Sequence, residues 1–523
     1  MTNMQLSHHV IYQLLASGVR EFCLCAGARN SPFVKLFESN PQIKVYHFFE
    51  ERSAAFFALG RIVATRHPVA VITTSGTAVA ELLPAAVEGT YSSLPLILVT
   101  ADRPKSYRGT GAPQSIEQVG IFTYYIESCF DLDADNTHFS LNGLSWKKPI
   151  HVNVCFSEPL KDGDVIQFKA PDQEVRTKFP ESFPIEMVDQ MHGFLETYHP
   201  IVILGAIPEK CREHVVDFLA RLKAPIYAEA ISGLRGHPRL KEFEIRSGER
   251  ILTKLLDDKV FNAVFRIGGV PTVRLWRDLE DRRIDLPVFS LGYNHFTGLS
   301  REIPHFDDLE DLSKIEVDVA KFMPDNVMSF DQSMAVKAVE LYKKYPRSEP
   351  GLVYHLSKLT SGEAVYLGNS LPIREWDLAA DFDQIPLRVS GSRGANGIDG
   401  QVSTFLGWCK SKSPNWAILG DLTALYDPSA LWVSRQMQDM KIRIVVLNNS
   451  GGMIFKRMFG KEIFLNRHDI GFEHWAKQWS FDFQKWQEVP SAPILSDRQI
   501  IEVSVCEKQT EQFWHDWDQV WGQ

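Results

Sequence analysis

The sequence predicts an α/β protein of three domains, each a doubly wound, mainly parallel sheet flanked by helices. Apolar runs of about five to seven residues alternate with helix-length amphipathic stretches, which is the pattern of βαβ units. That rhythm occurs in three blocks, near the start, around 199–290 and after about residue 350. A chain of 523 residues with 44% hydrophobic content can bury a core in each.

In the first block, VREFCLCAG and IKVYHFF read as strands, ERSAAFFALGRIVATRH as a helix and PVAVITTS as a strand. GTAVAELLPAAVEGTYSS follows as a helix and LPLILVTADRP as a strand. The middle block contributes HPIVILGAIPEKCREHVVDFLARLKAPIYAEA and FNAVFRIGG; the last contributes EAVYLGNS, PNWAILGD, an amphipathic stretch from Ser429 to Met440, and IRIVVLNN. Polar, Pro-bearing segments at 161–185 and 320–350 mark boundaries, giving domains of 1–170, 185–335 and 345–523. Trp514, Trp517 and Trp521 form the apolar stripe of a terminal helix that packs on the body or on a partner subunit.

Composition excludes several classes. No apolar run approaches the roughly 18 residues of a membrane span, and the N-terminus lacks a basic stretch followed by a cleavable apolar one. Seven scattered cysteines include no C-x-x-C, which suits reduced core thiols in a cytoplasmic protein. A net charge of -9 supplies no basic field for nucleic acid, so any anionic ligand needs local positive charge.

Ligands of open parallel sheets lie outside the carboxyl ends of the strands. The segments placed there are AGARNSP (26–32), EER (50–52), TSGT (74–77), TADRP (100–104), GNSLPIR (368–374), GDLTALYD (420–427) and NNSGGM (448–453). Two of them suggest a cation site. The triplet Gly420-Asp421-Leu422 and the Asn448–Asn449 pair, with 25 residues between them, each close an apolar run, and a carboxylate with an amide oxygen at neighbouring strand ends can share a Mg²⁺ that keeps positions for water and phosphate. Gly451 and Gly452 permit close backbone approach, and free N–H groups at a helix start favour phosphate oxygens. A second reading makes Asp421 the cap of a helix beginning near Thr423 and the asparagines a turn.

The whole span resembles the thiamine-diphosphate motif, GDG followed by 24 to 27 residues and NN, with Leu422 at the final glycine. Several strings together resemble one family, the 2-succinyl-5-enolpyruvyl-6-hydroxy-3-cyclohexene-1-carboxylate synthases of menaquinone biosynthesis. They are GARNSP, HFFEERSAAFFALG, VAVITTSGTAVAELLPAAVE, LILVTADRP, GAPQSIEQ, GNSLPIR, SRGANGIDG, GDLTALYD and VVLNNSGGMIF. The resemblance covers most of the outer domains and little of the middle one.

It implies the thiamine-diphosphate-binding fold, with a pyrimidine-binding first domain and a diphosphate-binding third. It implies decarboxylation of 2-oxoglutarate and addition of the succinyl carbanion equivalent to isochorismate. The metal, Mg²⁺ or Mn²⁺, is assigned to the Asp421 carboxylate, the Asn449 amide oxygen and the Gly451 carbonyl. Cofactor contacts are assigned to Glu51, Asn369, Ile398, Asp421, Thr423, Ala424, Asn449, Gly451, Gly452 and Met453. Glu51 is the catalytic acid that hydrogen-bonds the aminopyrimidine, and Ile398 keeps the cofactor bent.

Both substrates are dicarboxylates, for which Arg is the fitting partner. Matching positions are Arg29, Arg103, Arg274, Arg374 and Arg393, with Gln114 and Ser370. Read one by one, Arg29 and Arg103 also suit surface ion pairs and Ile398 ordinary core. Arg274 replaces the family's usual Lys, and Ala28 a common Ser. The resemblance further implies a homodimer or homotetramer with active sites at the dimer interface. The alternatives are a different thiamine-diphosphate-dependent 2-oxo acid decarboxylase or carboligase, and a non-catalytic cofactor-binding relative.

Overall fold

In the computed structural model the residues described are 1–164, 166–168, 185–310, 312–317, 324–411 and 413–522. Most of the boundary expected at 161–185 lies outside them, as do residues 318–323 of the second boundary. The chain forms two compact units. One contains the first 168 residues with 392–411 and 422–442, and the other contains 185–391, 413–421 and 443–522.

The first unit is built on six strands: β1 (Glu21–Cys25), β2 (Lys44–Phe48), β3 (Val69–Thr73), β4 (Leu96–Asp102), β5 (Ser128–Leu132) and β6 (Ile150–Cys155). They are ordered β2-β1-β3-β4-β6-β5 and all pairs are parallel. β3, β4 and β6 are buried along their whole length, as central parallel strands covered on both faces must be; β3 and β4 therefore read as apolar runs, while β6 carries buried His151 and Asn153. The helix expected over 76–93 is instead two, Thr77–Ala80 and Leu83–Tyr91. Pro84 sits in the first turn of the second, where its missing N–H costs nothing; inside a continuous helix it would break the ladder.

The helix Glu51–Thr65 crosses Gln401–Trp408 at two glycines. A Cβ on Gly60 would stand 2.0 Å from the Thr404 carbonyl oxygen, and one on Gly407 2.0 Å from that of Phe57. Only hydrogen at both positions lets the backbones approach so closely. The crossing is fastened by buried Asp427, which accepts the Ser403 N–H and hydroxyl at 3.0 Å each and pairs with Arg52 at 3.5 Å. The stretch 429–440 contains a 3₁₀ helix, Ala430–Gln436, whose Trp432 and Gln436 side chains both donate to the His47 carbonyl.

The second unit holds two sheets. Strands β7 (Pro200–Leu204), β8 (Ile226–Ala228), β9 (Ala263–Ile267), β10 (Val288–Leu291) and β11 (His305–Phe306) run in the order β11-β10-β9-β7-β8, every pair parallel. The carboxyl end of this sheet is filled by protein. Arg266, fully buried, donates to the carbonyls of Gly268, Gly269, Phe296 and Thr297, and the chain at Gly205 lies against the Gly269 backbone.

The third sheet contains β12 (Ala364–Leu367), β13 (Arg388–Ser390), β14 (Asn415–Gly420), β15 (Ile442–Asn448), β16 (Asp482–Trp486) and β17 (Arg498–Ser504), ordered β13-β12-β14-β15-β17-β16. The terminal helix Glu507–Gly522 buries Phe513 and Trp517 in its core, with Trp514 and Trp521 packed at the margin. The tryptophan stripe therefore faces its own unit. With three parallel-stranded sheets flanked by helices, the protein has the predicted α/β class.

Candidate active site

The two adjacent acids of EER have different surroundings. Glu50 caps the helix Glu51–Thr65, accepting the N–H groups of Arg52 at 3.0 Å and Ser53 at 3.1 Å as well as the Ser53 hydroxyl. Ser429 Oγ adds a fourth contact at 3.3 Å. Such a carboxylate is committed to satisfying helix-end donors. Glu51 is the first residue of the helix and half-buried, with Ala54, Phe57 and Ala58 in the core behind it. Burial pushes its carboxyl above the ordinary range, and the nearby negative charges of Glu50 and Glu81 push it further in that direction.

Arg29, Arg103, Gln114, Arg393 and Ile398 all belong to the first unit. Arg29 pairs with exposed Glu158 at 3.2 Å and donates to the Phe156 carbonyl at 3.1 Å. Arg103 is steadied by two bonds: its N–H reaches Asp102 at 2.8 Å, and its Nε reaches the Pro113 carbonyl at 3.0 Å. Next to Pro113, Gln114 is exposed and left-handed at φ 56°, with Gly76 of TSGT close against it. The loop bearing Arg393 and Ile398 is held by a residue the sequence reading missed. Buried Glu88 accepts the N–H groups of Gly394 at 2.9 Å and Ala395 at 2.7 Å, and the Ser92 hydroxyl at 2.8 Å. Ile398 is half-buried rather than core. Beside this loop lies a cavity of about 170 Å³, lined by Phe56, Glu88, Ser392, Gly397, Asp399 and Gln401.

In the second unit the proposed cation ligands come together. Asp421 Oδ2 accepts the N–H of Asn449 at 3.1 Å and of Gly451 at 3.0 Å, so the carboxylate reaches the neighbouring strand end. Gly451 takes φ 143°, and a Cβ there would meet the Leu465 carbonyl oxygen at 2.4 Å. Its own carbonyl accepts the Met453 N–H at 2.9 Å, leaving a second lone pair. Asn449 donates Nδ2–H to Glu349 at 2.7 Å, while its Oδ1 is buried with no hydrogen-bond partner among the described residues. A buried acceptor left open is costly, and a cation at this point would satisfy it. An all-oxygen set with one carboxylate suits Mg²⁺ or Mn²⁺ beside a diphosphate, so the residues present fit the group. Thr423 and Ala424, buried, continue the helix that Asp421 begins.

Three neighbours of this cluster were not anticipated: His468, whose Nε2 lies 3.3 Å from Asp421, and the buried pair Glu349 and Glu375. Burial raises the carboxyls of both glutamates. Of the remaining positions, Asn369 is buried, and Ser370, at φ 74°, precedes the helix Leu371–Ala379. Arg374 is exposed and donates to the Ser370 carbonyl at 2.7 Å. Arg274 pairs with Asp278 at 2.8 Å and donates its N–H to Glu249, whose charge is felt by Arg374 as well.

Residues 4–121 match the family model described as thiamine pyrophosphate enzyme, N-terminal TPP binding domain. The chain is 56% identical over its full length, and the full length of the relative, to the 2-succinyl-5-enolpyruvyl-6-hydroxy-3-cyclohexene-1-carboxylate synthase of Bdellovibrio bacteriovorus. Proteins of the same name from Akkermansia muciniphila and Staphylococcus epidermidis are 35% and 30% identical, covering 91% of this chain in each case and 90% and 89% of the relative. The chain belongs to the 2-succinyl-5-enolpyruvyl-6-hydroxy-3-cyclohexene-1-carboxylate synthase family of thiamine-diphosphate-dependent enzymes.

Proposed function

We infer that the protein is a menaquinone-biosynthetic transferase that decarboxylates 2-oxoglutarate and joins the succinyl group to isochorismate, with release of CO₂. The observation that carries this reading is full-length similarity at 56% identity to a synthase of that name. When bound, thiamine diphosphate supplies the electron sink for decarboxylation and carbon–carbon bond formation.

The chain's own residues then have distinct tasks. Glu51 would hold and release a proton at its carboxyl beside the aminopyrimidine of a bound cofactor; its half-buried setting and raised pKa support that role, since a proton is shared best between groups of similar affinity. Asp421, the Asn449 amide oxygen and the Gly451 carbonyl would hold Mg²⁺ or Mn²⁺, whose charge would offset that of the diphosphate. Asn369, Ile398, Thr423, Ala424, Gly452 and Met453 would contact the cofactor. Arg29, Arg103, Arg274, Arg374 and Arg393, with Gln114 and Ser370, take the substrate carboxylates and polar groups. Charge-assisted bonds from guanidinium are the economical way for a protein of net charge -9 to hold two dianions.

We further propose domains of 1–170, 185–335 and 345–523, and a cytoplasmic homodimer or homotetramer in which Glu51 of one chain serves a cofactor anchored by Asp421 and Asn449 of another. No described helix is long and apolar enough to cross a membrane.

The test is an omission experiment with purified protein, thiamine diphosphate and Mg²⁺. CO₂ release and product formation should require 2-oxoglutarate and isochorismate together. Faster decarboxylation of pyruvate than of 2-oxoglutarate would overturn the substrate assignment.

A further inference from the structure

We propose that Glu349 is a positioning residue for the cation, acting through Asn449. This rests on the reading of Asp421, Asn449 and Gly451 as cation ligands.

An asparagine amide has two faces of opposite polarity, an acceptor oxygen and a donor NH₂, related by a half-turn about χ2. Only one of the two orientations can serve a metal. A carboxyl oxygen that carries no proton accepts hydrogen bonds and donates none. Asn449 Nδ2 donates to Glu349 Oε1 at 2.7 Å, which turns the amide NH₂ toward the glutamate and its oxygen the other way. The half-turned amide would set two acceptors against each other and aim hydrogens at the metal.

Glu349 is itself firmly placed. It is 4% exposed, opens the helix Glu349–Leu359 directly after the Ser348 cap, and its N–H is held by Thr510 Oγ1 at 3.1 Å. Ser348 Oγ accepts the Gly351 N–H at 3.1 Å, which fixes the same turn. The Asn449 Oδ1 is what this arrangement produces: a buried acceptor oriented by its neighbour and without a partner among the described residues. The cation site therefore draws on a third segment, 100 residues from Asn449 in sequence, beyond the two strand ends that supply the side-chain ligands.

The experiment is a Mn²⁺ titration followed by electron paramagnetic resonance, on full-length protein saturated with thiamine diphosphate, using Glu349→Ala, Asn449→Ala, the double variant and Asp421→Ala. Circular dichroism checks the fold of each. Loss of a residue that orients a metal ligand typically weakens binding by about 10–100-fold, and that loss is expected for Glu349→Ala. In the Asn449→Ala background, Glu349→Ala should cause less than a twofold further change, because the residue it orients is gone; a general structural effect would add in full. If Glu349→Ala fails to fold, Glu349→Gln serves, with an expected loss of severalfold because a neutral acceptor holds the amide less strongly. Binding within twofold of wild type in the folded Glu349 variant, while Asp421→Ala loses Mn²⁺, would overturn the positioning role and leave the ligand reading intact. If Asp421→Ala also binds normally, the ligand reading fails and the inference with it.

Discussion

The close crossing of Glu51–Thr65 over Gln401–Trp408 makes Gly60→Ala an informative substitution. The added Cβ would lie 2.0 Å from the Thr404 carbonyl oxygen and 2.8 Å from the Trp408 nitrogen. That is about 1.5 Å inside the 3.5–4.0 Å at which nonbonded contact is favourable. The obstruction is helix backbone, so no rotamer change relieves it; the helices must separate, and the second glycine contact at Gly407 is lost with the first. Ordinary overpacking costs about 1–3 kcal/mol, and a rigid backbone clash belongs at or above the upper end. A loss of about 3 kcal/mol in a unit of this size lowers Tm by about 6–12 °C. The assay is differential scanning calorimetry of the cofactor-free protein. Gly193→Ala is the control: that glycine lies within the helix Ile185–Thr197 with nothing within 4 Å of a new Cβ, so it should stabilise by up to about 1 kcal/mol. A Gly60→Ala transition within 2 °C of wild type would refute the argument, since it would mean that the helices do not meet at these glycines.

Three other predictions follow from specific groups. His151 is buried, with its pKa depressed to about 3 by burial, so the unfolded chain binds its proton more readily. Its contribution is present above about pH 6.5 and fades as pH falls toward 3, amounting to a loss of about 2 kcal/mol at pH 5; His151→Asn should flatten the fall in Tm between pH 6.5 and 5. Asp427→Ala leaves the buried Ser403 N–H and hydroxyl without their acceptor and removes one of the two carboxylates beside Arg52, and should cost about 2 kcal/mol by urea unfolding; a change below 1 kcal/mol would count against its fastening role. Arg374→Ala should raise the concentration of dicarboxylate substrate required by at least about tenfold with cofactor affinity unchanged within twofold, and an equal loss of both would remove Arg374 from the substrate pocket.

What the sequence made legible were features with a local signature. β3 and β4 are fully buried and so read as continuous apolar runs, and the strand ends were found by where those runs stop. The break at Pro84 was missed because the surrounding apolar spacing continues helically on both sides of it. Glu50 and Glu51 were both visible as acids at a strand end, but only coordinates reveal the four donors that occupy Glu50. Glu88 and Glu349 left no trace, because each lies in an ordinary helical segment and meets its partner 306 and 100 residues away. Arg266 likewise looks in sequence like a charge within a strand; its four carbonyl partners lie in loops that no periodicity describes.

Glu51 is proposed to supply the proton relay of a 2-oxoglutarate-consuming, isochorismate-dependent synthase. That role is tested most directly by comparing wild type with Glu51→Gln in one assay of isochorismate-dependent CO₂ release, with thiamine diphosphate binding measured separately by calorimetry. The variant should bind the cofactor within about tenfold of wild type and lose at least about 100-fold in turnover, the scale of positioned acid–base catalysis. Turnover within a few fold of wild type at saturating cofactor would contradict it.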